Sequence, residues 1–141
     1  MHKDEGLRHV VEDWFAAVAH GDARYLDTHM SSDPDLCLVG SDPEEMLHGK
    51  AAHDFMKREA MAMKDMCSIS IKDCEAYSDG DYGWAFAMPE IELLPDHKTV
   101  TPRWSGVFHR ENGDWKLVQL HSSFGIANDQ MLGEEVSRKL H

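Results

Sequence analysis

The stretch Arg103-Trp-Ser-Gly-Val-Phe-His-Arg-Glu-Asn112-Gly113-Asp-Trp115-Lys-Leu-Val-Gln-Leu-His121-Ser-Ser-Phe-Gly-Ile-Ala-Asn128 reads as a β-hairpin and the segment that follows it. Asn112-Gly113 marks the turn, because both residues tolerate positive φ and the runs on either side are rich in aromatic and β-branched residues. The first strand alternates, with Arg103, Ser105, Val107 and His109 on one face and Trp104, Gly106, Phe108 and Arg110 on the other. In the second strand, unbroken alternation puts His121 on a face with Trp115, Leu117, Gln119 and Ser123.

The same grammar continues toward the N-terminus. Residues 98–111 and 114–124 complete a sheet whose earlier strands run from Ser68 to Tyr77 and from Tyr82 to Leu94. Asp79-Gly80-Asp81 and Pro95-Asp96-His97 are the turns between them. Leu36 to Val39 is a short apolar strand, and Ser41-Asp42-Pro43-Glu44-Glu45 is a turn. Helices come first. Leu7, Val10, Val11, Trp14, Phe15 and Val18 form one face of an amphipathic helix that Gly21 ends. Asp22 caps a short second helix carrying Tyr25 and Leu26. Gly49 opens a third, to about residue 64, with Ala52, Phe55, Met56, Ala60 and Met63 on one face. Helices followed by antiparallel strands predict an α+β fold: a curved antiparallel sheet packed against N-terminal helices, forming a cone with an internal pocket.

A chain of 141 residues, 42% hydrophobic and 28% charged, fits one soluble domain, with its core at about 7–126 and a polar tail over 127–141 that forms a short helix or frays. The net charge of −12 argues against nucleic acid and anionic membrane as partners. An acidic ligand would need a local positive charge. Cys37, Cys67 and Cys74 are odd in number and lack CxxC spacing, which favours a reducing compartment. The N-terminus has no apolar signal core, and no apolar run approaches the ~20 residues of a membrane span, so a cytoplasmic location is expected.

Four segments in order resemble the SnoaL-like domain of the nuclear-transport-factor-2-like superfamily, whose fold is also called cystatin-like. They are the Trp14-to-Asp22 helix end, Val39-Gly-Ser-Asp-Pro43 followed by Gly49, Arg103-Trp-Ser105, and the Trp115…His121-Ser122 strand. The resemblance covers roughly residues 7–126 and implies a curved sheet around a pocket. That fold serves isomerases, cyclases, dehydratases and non-catalytic binders. Ketosteroid isomerases in the superfamily use an Asp base in an Asp-Pro turn and an oxyanion hole of a Tyr and a protonated Asp. By that resemblance Asp42 is the base, Trp14 stands at the Tyr position and Ser105 at the second Asp position. An indole N–H and a serine hydroxyl stabilise a dienolate poorly, so ketosteroid isomerisation itself is disfavoured.

Asp42 is therefore a candidate general base, and equally the first residue of a capping box with Pro43 and Glu45. Arg103 either holds a ligand carboxylate in its fork or pairs with Glu90 or Glu92 of the preceding strand. His121 is the best acid/base residue if it faces the pocket, and a satisfied core residue otherwise. Trp14, Tyr25, Phe55, Trp84, Phe86 and Met88 are candidates for an apolar lining or for plain core. Trp14 and Trp84 are the strongest wall candidates, since a buried indole N–H needs a polar partner. The candidate ligand-binding set is Arg103, Trp14, Trp84, Tyr25, Ser105 and Glu90.

Ten histidines raise the question of a metal. His48 and His53 stand at i, i+5 and His2 and His9 at i, i+7, neither a helical ligand pair, so no metal is expected. Neither GxGxxG nor a GK[ST] loop occurs, so no nucleotide cofactor is expected. Two functions follow: an enzyme moving a proton next to a carbonyl of a small, partly apolar molecule, with or without an acidic group, or a non-catalytic binding or dimerising module. Trp104, Phe108, Val118 and Leu120 would lie on the convex sheet face if the other face lines the cavity. A second copy covering that face would make a homodimer.

Overall fold

The computed structural model describes all 141 residues. The hairpin forms as its turn predicts, with Asn112 at φ 55° and Gly113 at φ 86°. In chain order the elements are β1 (His2–Lys3), α1 (Glu5–His20), α2 (Ala23–Thr28), β2 (Cys37–Val39), β3 (Met46–His48), α3 (Gly49–Met63), β4 (Cys67–Asp79), β5 (Tyr82–Leu93), β6 (Lys98–Val100), β7 (Arg103–Glu111), β8 (Asp114–Ser123), α4 (Asn128–Leu132) and α5 (Glu134–Lys139). Eight strands form one curved, unclosed sheet in the order β1-β4-β5-β7-β8-β2-β3, with β6 beside β5. The pairs are antiparallel except β2 with β8. No helix is long and apolar enough to cross a membrane.

The Asp4 carboxylate starts α1 by accepting from the Leu7 backbone N–H at 2.8 Å and from the Ser78 hydroxyl at 2.7 Å. Those two bonds, with a nearby Arg110, hold its carboxyl below the usual Asp range despite partial burial. The inner face of α1 (Leu7, Val11, Trp14, Phe15, Val18) is no more than 7% exposed. Each such side chain contributes about 1.5–3 kcal/mol by leaving water. The helix lies close on the sheet because β5 presents Gly83, Ala85 and Ala87. A Cβ at Gly83 would stand 2.6 Å from the Leu7 Cδ2.

Three expectations need correction. First, residues 98–111 are two strands, because Pro102 lacks an N–H for the ladder and separates β6 from β7. Second, Met46–His48 is a strand and the Asp42-Pro43 turn starts no helix. One bond of the capping box forms nonetheless, the Glu45 carboxylate accepting from the Asp42 N–H at 3.1 Å, while the Asp42 carboxylate accepts from the Glu44 N–H at 2.9 Å rather than from Glu45.

The third correction moves the site. On β7, Trp104, Gly106 and Phe108 face the helices. Across the hairpin Phe108 pairs with Leu117 but Val107 pairs with Gln119, so Val118 is an extra residue, a β-bulge. Before the bulge Trp115 and Leu117 point inward. After it Leu120 and Ser122 do, while Gln119 and His121 point out. One inserted residue reverses the parity that unbroken alternation assumes. Trp104, Phe108 and Leu120 are thus core, and the convex face carries Tyr77, Trp84, Phe86, Ser105 and Val107.

Candidate ligand cavity

Between the helices and the concave sheet face lies a cavity of about 160 Å³. Helix α1 contributes Trp14, Phe15 and Val18, helix α3 contributes Phe55, Met56, Glu59 and Met63, and the sheet contributes Leu38, Trp104, Leu120 and Ser122. Ser41 and Glu45 of the β2–β3 turn and Phe124 after β8 also line it, and Ser41 and Phe124 are exposed. Most of the lining is apolar. Phe15 and Trp104 meet edge to face, with ring centroids 5.3 Å apart.

Glu59 is the exception in that wall. It occupies the position of α3 that continues the apolar stripe of Ala52, Phe55, Met56, Ala60 and Met63, so the helix aims a carboxyl at the chamber. Burial pushes its pKa up to about 7, and the negative charge of Glu45 adds to the effect. No cation and no hydrogen-bond donor offsets either cause. The Glu45 carboxylate, also in the lining, accepts from the Asp42 N–H at 3.1 Å, and Gly40 makes room for it: a Cβ there would stand 2.2 Å from the Glu45 Oε1. Cys67, at the start of β4, has its thiol pKa raised by burial and then by Glu59. A partly protonated carboxyl in an apolar chamber can give or take a proton near neutral pH.

Of the predicted site residues, Trp14 lines this cavity, 1% exposed, and Phe55 stands in the same wall. Asp42 is exposed on the turn beside it and is not part of the lining. Arg103, Ser105, His121 and Trp84 belong to the opposite face of the sheet. Ser105 and His121 are cross-strand partners there. Arg103 does not pair with the strand before it. Glu90 instead binds Lys72 at 3.1 Å, and Glu92 meets His97 at 2.9 Å. Tyr25 stacks on His29 with centroids 3.8 Å apart, and its hydroxyl pKa is pushed up to about 12 by burial, then by Asp13 and Asp22. Phe86 is on the convex face, and Met88 is half-buried outside the lining. The sequence reading missed Glu59 and Glu45. The available signal for Glu59 was an acidic residue at a core-facing position of an otherwise apolar helix stripe. No group of three or more His, Cys, Asp or Glu side chains is placed to hold a metal.

A family model described as the SnoaL-like domain matches residues 7–127. The chain belongs to the SnoaL-like domain family. No curated protein matches this SnoaL-like chain in sequence. Among solved structures it is similar to a nuclear-transport-factor-2-like protein of unknown function from Pseudomonas putida, with 17% identity, 84% of each chain covered and a TM-score of 0.73. A candidate ketosteroid isomerase from Shewanella frigidimarina aligns at 14% identity over 82% of this chain and 92% of that one, with a TM-score of 0.68. The association domain of Caenorhabditis elegans calcium/calmodulin-dependent protein kinase II aligns at 16% identity over 84% and 93%, also with a TM-score of 0.68. At such identities the likeness is one of fold. The SnoaL-like chain has the curved sheet of these neighbours and places its carboxyls by its own sequence.

Proposed function

We propose that this SnoaL-like domain holds a small, largely apolar molecule in the cavity and exchanges a proton with it through Glu59. The observation that carries this reading is an unpaired carboxyl in the wall of an apolar chamber. A chamber of about 160 Å³ is close to the ~150 Å³ engineered cavity that takes up benzene, so a compact ring fits. Proton transfer next to a carbonyl, as in isomerisation, cyclisation or dehydration, is chemistry that one carboxyl titrating near neutrality can perform in both directions. Asp42 and His121, the bases that the sequence suggested, are both exposed, which favours Glu59 over them. The test is deuterium incorporation next to the carbonyl of cyclohexanone, followed by NMR in D₂O. The wild-type protein should accelerate exchange over buffer, and Glu59→Gln should abolish the acceleration. An acceleration that survives in Glu59→Gln would remove Glu59 from the chemistry.

The convex face supports a second element of this reading, a homodimer. Tyr82 is 55%, Phe86 39% and Trp84 36% exposed, with Tyr77 stacked on Trp84. A contiguous aromatic sheet face of this kind is usually covered by a partner, and one similar structure is an association domain. Sedimentation at micromolar concentration should give a dimer, and Trp84→Glu with Phe86→Glu should give a folded monomer. A monomeric wild type overturns this element. Three free cysteines fit a reducing, cytoplasmic setting.

A further inference from the structure

We infer that the cavity takes a small organic cation, an alkyl- or cycloalkylammonium group on an apolar body, with Glu59 and Glu45 as its counter-charges and the aromatic wall around its carbons. This rests on reading the cavity as a ligand site, but not on catalysis. The chamber has a one-sided charge composition. Its lining includes two carboxyls and no Lys, Arg or His. Arg103, which the sequence offered for an acidic ligand, is on the far side of the sheet.

Three ligand charges can be compared. An anion would be buried without a cationic partner and next to two carboxyls, the costliest arrangement. A neutral molecule fills the space but brings the ionised Glu59 no counter-charge. A cation supplies what the site lacks, since an opposite charge at hydrogen-bond distance stabilises the ionised carboxyl. Trp14, Trp104 and Phe55 in the same wall are residue types whose ring quadrupoles attract an ammonium group. The net charge of −12 draws cations toward the molecule and repels anions.

Binding is then linked to protons. Glu45 from the β2–β3 turn and Cys67 from β4 are the titratable groups that act on Glu59 or feel it, and neither supplies a positive charge. An ammonium ligand pairs with ionised Glu59, so its affinity rises with pH as that carboxyl loses its proton.

The experiment compares cyclohexylammonium, cyclohexanol and cyclohexanecarboxylate, titrated against the full chain by the indole N–H signals of Trp14 and Trp104. Cyclohexylammonium should bind about tenfold more tightly than cyclohexanol at pH 8, a margin of the size that a partly desolvated ion pair supplies. The margin should narrow at pH 6, and the carboxylate should not bind. In Glu59→Gln the ammonium should lose its advantage while cyclohexanol still binds, which also reports an intact cavity. Equal binding of ammonium and alcohol to wild type, or an ammonium preference that persists in Glu59→Gln, overturns the inference and leaves the cavity as a site for neutral molecules. Binding of none of the three overturns the ligand-site reading, and the inference with it.

Discussion

Helix α3 carries a polar side chain at each end of its buried face, and the two are handled in opposite ways. Near its start, His53 has both ring nitrogens engaged: Nδ1 is 2.8 Å from Asp27 Oδ1, and the Nε2 N–H donates to the Ser31 carbonyl at 2.8 Å. The network continues, since the Ser31 hydroxyl, 1% exposed, donates to Glu111 at 2.6 Å and accepts from the Asp33 N–H at 3.1 Å. It ties α3 to the connection before β2 and to the end of β7. Six residues further along, Glu59 has no partner. A polar cluster with its partners in place stabilises, whereas a carboxyl drawn into an apolar wall with no protein partner costs free energy by desolvation and marks a candidate functional site.

Mutations can break this comparison at either end. The largest effect is expected at His53. His53→Ala leaves the buried Ser31 carbonyl without its donor and removes one partner of Asp27, which Lys57 still approaches at 3.6 Å, and should cost about 3 kcal/mol in urea unfolding. A loss near zero would mean that the network contributes no stability. Glu59→Gln should act in the other direction. Its folded-state pKa, about 7, lies above the ordinary 4.5, so the folded state holds the extra proton. Wild-type stability therefore falls as pH rises from about 4.5 through 7, and the full cost is present above that range. Glu59→Gln should then be more stable than wild type by about 2 kcal/mol at pH 8 and no more stable near pH 4. A variant less stable at pH 8 would show that Glu59 has a partner. The smallest effect belongs to Asp42→Ala, which removes an exposed turn bond to the Glu44 N–H. It should change stability by less than about 1 kcal/mol. It should also leave cyclohexanone exchange intact if Glu59, rather than Asp42, is the base.

The two faces of the sheet show how far reading from sequence reaches. The elements were legible because local chemistry specifies them. Gly21 ends α1 at φ 70°, Asp22 caps α2, and Asn112-Gly113 turns the last hairpin. The assignment of faces was not. Alternation places residues correctly only along an unbroken ladder, and Val118 breaks it. His121 changed sides for that reason. Trp84, Ser105 and Arg103 fell outside because nothing in an alternating strand says which side the helices will cover. Trp14, a candidate for wall or core, does line the cavity, since a helix stripe that includes Leu7, Val11 and Val18 has only one apolar side.

By itself, then, the sequence determined the order and type of the main elements, the α+β class and the family resemblance, all properties of periodicity and turn chemistry within a few residues. The tertiary structure decided which sheet face closes the cavity, that Glu59 and Glu45 both line it, and that Arg103 does not. Those outcomes depend on a bulge between strands and on which helix covers which face. They also depend on burial, which shifts the Glu59 carboxyl only after the chamber has closed around it.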